Sequence, residues 1–204
     1  MAGLFITFEG IDGCGKSTQL RLLASELRVR GLEVVTTREP GGTSLGQKLR
    51  AALLDVQEQV DPLAELLVFA ADRAQHVRQL LLPVLRNNQI VLSDRYADAT
   101  AAYQGAGKGV SMDLIARLAE AAHPSLQPSR TLIFDCPYDV AAARLAKAGR
   151  TLDRFEREDR AFFERVRAAY LAITKREPQR VRLIDASASA AQVREQIKAA
   201  LEGL

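Results

Sequence analysis

Eight residues near the start of the chain, Gly10-Ile11-Asp12-Gly13-Cys14-Gly15-Lys16-Ser17, fit the pattern G-x-x-x-x-G-K-[ST] in full. Glycines at these places let the backbone wrap an anion closely and turn successive N–H groups inward. The helix expected to follow, from Ser17, adds its positive end to that cradle. The Lys16 ammonium then neutralises the β- and γ-phosphates of a nucleoside triphosphate, and the Ser17 hydroxyl is placed to coordinate the Mg²⁺ that bridges them. A second carboxylate belongs to the same chemistry. The apolar run Ile90-Val91-Leu92-Ser93-Asp94 ends in an aspartate suited to hold the metal's water shell.

The elements that position these groups follow from hydrophobic period. Residues 4–8, 33–37, 90–94, 131–135 and 181–185 read as strands, each ending at or near a polar residue. Residues 17–30, 62–82, 112–122, 138–148 and 156–174 carry apolar side chains at three- and four-residue spacing, and Ser187-Ala188-Ser189 signals a last helix over 190–201. Strand and helix in alternation predicts an α/β chain of the P-loop NTPase fold. Its core is a doubly wound five-stranded parallel sheet with helices on both faces. Functional residues then gather beyond the carboxyl ends of the strands. At 204 residues, with no linker-like tract, the chain predicts one domain over 1–204.

Composition narrows the class. The balance of 28 basic against 25 acidic residues is too even for a nucleic-acid surface, although twelve Lys/Arg face six Asp/Glu between Arg144 and Arg182. Cys14 and Cys136 make no disulfide framework, and the first residues have neither a basic leader nor a membrane-length apolar run, so a cytoplasmic protein is expected. His76 and His123 show no metal spacing and read as structural. Cys14, beside Lys16 and a helix start, reads either as a thiol with thiolate character, readily alkylated and shielded by Mg-ATP, or as an inert packed thiol. A phosphate loop alone suits a GTPase switch, an ATP-driven binding module or a small-molecule kinase. No Asn-Lys-x-Asp guanine-reading segment follows a strand, and arginines stand after strands and in a loop at Arg38, Arg95, Arg150 and Arg154. Holding two anionic substrates during phosphoryl transfer needs such a surplus, which favours a kinase with a phosphorylated acceptor.

Four segments then carry a resemblance: Phe8 to Gln19; Thr37-Arg38-Glu39-Pro40-Gly41-Gly42-Thr43; Asp94-Arg95-Tyr96 with Ala102-Tyr103-Gln104-Gly105; and Leu152-Asp153-Arg154-Phe155-Glu156. In these the chain resembles the bacterial thymidylate kinases, nearly end to end and in register. The resemblance implies that ATP and dTMP give ADP and dTDP, with Mg²⁺, in a homodimer that binds neither nucleic acid nor membrane. It implies ATP phosphate binding by Gly10, Ile11, Asp12, Gly13, Cys14, Gly15, Lys16, Ser17 and Thr18, and metal binding by Ser17 and Asp94. dTMP falls to Asp12, Arg38, Glu39, Phe69, Arg73, Arg95, Thr100, Tyr103 and Gln104. Phe69 and Arg73 lie four apart on one helix, so a ring and a donor fork share one face. Tyr103 is expected against the deoxyribose, and Ala99 stands where the family commonly has a serine.

Asp12, Lys16, Arg95, Arg150 and Arg154 are the catalytic candidates. Arg95 directly follows Asp94, and its fork suits phosphate oxygens. Asp12 is expected to orient the attacking oxygen. Gly149 reads as a helix stop and Asp153 with Glu156 as a capping box, so a short basic lid is predicted over about 144–156, from which Arg150 and Arg154 swing over the triphosphate. Some family members carry an arginine in the phosphate loop at the place of Gly13; others supply it from the lid, and this chain resembles the second kind.

Overall fold

A computed structural model describes residues 3–56, 58–149 and 151–204. Five parallel strands form one sheet: β1 (Leu4–Glu9), β2 (Val34–Arg38), β3 (Ile90–Asp94), β4 (Arg130–Asp135) and β5 (Val181–Asp185), in the order β2-β3-β1-β4-β5. The three central strands β1, β3 and β4 are buried on both faces because helices cover both, and Phe8, Leu92, Leu132 and Phe134 are shielded from solvent. Burial of each such side chain contributes about 1.5–3 kcal/mol. From β1 the chain fills the sheet first toward β3 and β2, then toward β4 and β5. The crevice of an open α/β sheet therefore opens beyond the ends of β1 and β3, where Phe8 pairs in register with Asp94.

The helices are α1 (Lys16–Val29), α2 (Ser44–Leu54), α3 (Pro62–His76), α4 (Leu82–Arg86), α5 (Ala97–Thr100), α6 (Met112–Ala122), α7 (Tyr138–Lys147), α8 (Arg160–Arg176) and α9 (Ala190–Leu201). Three departures from the sequence reading matter. The helix expected over 62–82 is interrupted: Val77–Leu81 is a π-helical segment before α4, where Pro83 has no N–H for the regular ladder. Two helical stretches were not foreseen. One is α2, whose cap Thr43 accepts from Gly46 N at 3.0 Å; the other is α5 with the π-helical segment Ala101–Gly107. Finally, the helix expected from 156 begins at Arg160, capped by Asp159 at Phe162 N. The Asp153 box does form, its Oδ1 accepting from Phe155 N and Glu156 N, but it closes only a turn. At the other end Ser189 and Gln192 make the full capping box of α9. Among the described residues no helix is long and apolar enough to cross a membrane.

Asp98 of α5 ties this region to the sheet. Both its oxygens accept from Arg180, at 2.8 and 3.0 Å, and Oδ2 also accepts from Thr131. The π-helical segment that follows packs on α8, so the side chains of residues 100–104 are presented from a fixed base.

Candidate active site

Beyond β1 the chain turns through Gly10, Gly13 and Gly15, at φ 134°, 81° and 97°, into α1. No side chain caps α1, so the first N–H groups of the helix face the crevice. Lys16 lies folded back over the loop, its Nζ donating to the carbonyls of Gly10 and Ile11 at 3.0 and 2.9 Å. Ser17 Oγ donates to Asp94 Oδ2 at 2.5 Å, which brings together the two residues expected to serve the metal. The cavity here, about 500 Å³, is lined by the loop with Thr18, Arg38, Arg50, Asp94 and Arg144. Gly13 sits under α7: a Cβ at this position would lie 2.4 Å from the Ala141 carbonyl oxygen and 2.9 Å from Leu145 Cγ. Helix packing thus excludes the loop arginine found in other members of the resembled family.

Arg95 stands between this cavity and a second one. Its backbone is left-handed, φ 73°, which an arginine adopts only when its surroundings impose it. Three bonds do so: Arg95 N to Phe8 O (3.0 Å), Ser93 Oγ to Arg95 O (2.7 Å) and Tyr96 N to Glu9 Oε1 (2.7 Å). The guanidinium donates to Asp12 Oδ1 at 2.7 Å and to Tyr103 Oη at 2.9 Å, and its carbon lies 4.5 Å from the Tyr103 ring centre. Tyr103 Oη in turn donates to Asp12 Oδ2 at 3.0 Å. Burial opposes charge on Asp12, but Arg95 and Lys16 override it and hold the carboxyl down to about 2.

The second cavity is narrower and more apolar. Its walls include Leu53 and eight of the nine residues expected at the acceptor nucleotide: Asp12, Glu39, Phe69, Arg73, Arg95, Thr100, Tyr103 and Gln104. Arg38 is the exception, since it ends β2 at the rim of the phosphate cavity. Arg73 is buried and fixes the wall with two of its nitrogens: Nε donates to Glu39 Oε2 at 2.7 Å, and Nη2 to Tyr96 O and Thr100 Oγ1. Glu39 Oε1 is 2.8 Å from His76 Nδ1, whose Nε2 is 2.7 Å from Thr37 Oγ1.

Two expectations change. Cys14 is buried, and burial pushes its thiol above the ordinary cysteine range against the pull of Lys16; it is an inert packed thiol, not a reactive one. Arg154 stands clear of the phosphate loop in this arrangement, so it would meet a triphosphate only by leaving its present partner. It pairs with Glu65 and stacks on Phe155, 4.4 Å from the ring centre, because a wholly buried carboxylate there draws a cation. Arg150 lies outside the described residues.

Several groups escaped the sequence reading. Glu9 is buried beside Tyr96 N and Tyr170 Oη, and desolvation together with the Asp98 charge raises it to about 8. Tyr170 Oη accepts from Arg95 at 3.4 Å, so Glu9 supports Arg95 through both backbone and side chain. Arg50 borders both cavities. Arg144 donates to Ala186 O (2.8 Å) and Cys14 O (3.4 Å), fastening α7 to the loop. The signal for Arg50 was a threonine cap before an amphipathic run; a glutamate ending a strand carries none.

A phosphate loop, an oxygen pair suited to a hard metal, and an arginine and aspartate shared with an adjoining nucleotide-sized cleft define a P-loop nucleoside monophosphate kinase, an ATP-dependent class. The thymidylate kinase family model matches residues 8–197. The thymidylate kinase of Ectopseudomonas mendocina (strain ymp) is 50% identical over 207 residues, covering 100% of this chain and 97% of that protein. That of Bordetella petrii is 50% identical over 202 residues, covering 99% and 96%. The crystal structure of thymidylate kinase from Ehrlichia chaffeensis superposes with a TM-score of 0.79 at 36% identity, covering 98% of this chain and 99% of that one. The chain belongs to the thymidylate kinase family.

Proposed function

We propose that the protein transfers the γ-phosphoryl group of ATP to dTMP, giving ADP and dTDP, and that the residues assembled above perform the transfer. The observation that carries this is the Arg95–Asp12 pair at the boundary of the two cavities. The loop N–H groups and Lys16 hold the donor phosphates once Lys16 exchanges its two carbonyls for them. Arg95 then bridges donor and acceptor phosphates, and its fork neutralises charge spreading over the moving group. Asp12, kept ionised, orients the acceptor. The acceptor phosphate is itself ionised near neutral pH, so no histidine base is required.

Ser17 and Asp94 offer adjoining hard oxygens, a donor set that fits Mg²⁺, which keeps several waters and takes one or two carboxylate or hydroxyl ligands from the protein. When bound there, Mg²⁺ would supply positive charge to the triphosphate, with Ser17 and Asp94 as its protein partners. Phe69 stacks on the base, Arg73, Thr100 and Gln104 meet its polar edge, and Tyr103 packs on the deoxyribose where a 2′-hydroxyl would crowd it; Glu39 sets Arg73, and Arg38 serves the acceptor phosphate from the rim. The segment of about 144–156 acts as a lid on a single domain, bringing Arg150 and Arg154 over the triphosphate. Two copies pair as a homodimer in the cytoplasm, a reading that the exposed Leu63 and Leu67, four apart on one face of α3, support.

ADP release is measured with Mg-ATP and a panel of nucleoside monophosphates. dTMP stimulates release above every other acceptor; a panel in which it does not overturns the assignment. Slow hydrolysis without acceptor stimulation marks a nucleotide-switched binding module instead.

A further inference from the structure

Glu65, on α3, is a wholly buried carboxylate whose two oxygens face opposite neighbours. Oε1 accepts from Gln104 Nε2 at 2.8 Å. Oε2 pairs with Lys108 Nζ at 2.9 Å and with Arg154. An ion-paired carboxylate only accepts hydrogen bonds, whereas a glutamine amide offers an acceptor at one end and donors at the other. With its nitrogen turned to Glu65, Gln104 has its carbonyl oxygen to give to the cavity it lines. On the same wall Arg73 uses Nε and Nη2 on protein oxygens, which leaves Nη1 as its donor toward a ligand among these described contacts.

We propose that Glu65 is a positioning residue for base selection: by fixing the Gln104 amide, it makes the cavity wall one acceptor beside one donor. This rests on the kinase reading above. That order matches an imide edge, where the ring N3–H donates and the 4-carbonyl accepts, as in thymine and uracil. It opposes cytosine, whose N3 accepts and whose 4-amino group donates. A site built with buried polar groups rejects a mismatched edge strongly, because the wrong ligand leaves those groups unpaired. The discrimination thus resides in a residue that never touches the base.

The test is Glu65→Gln, which keeps the shape but adds a donor, so that the Gln104 amide is satisfied in either orientation. The ratio of kcat/KM for dTMP to that for dCMP falls at least tenfold, through opposite changes in the two acceptor KM values. A residue needed only for packing would scale both acceptors alike, and an unchanged ratio in folded Glu65→Gln overturns the proposal. Gln104→Met supplies the second arm: it lowers the ratio as well, and the double variant loses no more than the single ones. Retention of the full ratio in Gln104→Met is equally fatal, whether or not Glu65→Gln folds. Calorimetric titration of dTMP and dCMP into the ATP-free protein gives the same ratio without turnover. An inactive unmodified chain would therefore overturn the kinase reading while the binding ratio still decides the role of Glu65.

Discussion

At the scale of single residues, Arg95 concentrates the chemistry. Its position was legible because Asp-Arg at the end of an apolar strand puts a guanidinium at the crevice whatever surrounds it. What holds it there was not legible. Glu9 ends a strand, where no spacing rule separates a buried carboxylate from a solvated one, and Tyr170 is 161 residues away from it in sequence. Replacing Arg95 by alanine removes a donor shared by both cavities and paired with Asp12, and kcat is expected to fall about 10²- to 10³-fold with the KM for ATP changed little; steady-state kinetics in both substrates measures this. Alkylation of Cys14 is expected to be slow with and without Mg-ATP, since burial and not nucleotide protects it. A thiol-reactive probe followed over hours distinguishes this from a nucleotide-gated thiol.

At the scale of elements, the strands and the long helices α1, α6 and α9 declared themselves by period, because each repeats one pattern over several turns. Where the helical repeat changes, period fails. The segment that carries Thr100, Tyr103 and Gln104 passes from α5 into π geometry at Ala101, and its glycines hide a helix from any propensity argument. The residues that line this cavity were legible in the sequence while the element holding them was not. For the lid, Arg154→Ala is expected to lower kcat at least tenfold with dTMP binding little changed; pre-steady-state transfer and dTMP titration separate the two. Packing of α7 on the loop gives a sharper expectation. Gly13→Ala adds a Cβ against the Ala141 carbonyl at a left-handed backbone position, at a cost of about 1–3 kcal/mol. It lowers the melting temperature by several degrees and weakens ATP binding, read by thermal unfolding with and without nucleotide.

At the scale of the whole molecule, the order β2-β3-β1-β4-β5 sends consecutive elements to opposite sides of β1, and that split opens the crevice. Strand-helix alternation predicts such a sheet; it does not say which buried acids the packing leaves protonated. Glu9 rises from 4.5 to about 8, by burial and then the charge of Asp98, and Asp72 from 3.8 to about 6, by burial and then Glu39. Between each pair of values the folded chain keeps a proton that the unfolded chain has lost, so stability falls as pH rises through that window. Urea midpoints are expected to decline from about pH 5 to about pH 8, and Glu9→Gln to flatten the decline; an unaltered slope would remove Glu9 from the account. The contact between α7 and Gly13 reaches further than folding. Placing an arginine at Gly13 requires α7 to retreat before the loop can accept a side chain, so a loop with glycine and a loop with arginine are joined by an ordered route of substitutions. A lineage holding this glycine must loosen one helix, at some loss of stability, before the alternative arrangement becomes visible to selection.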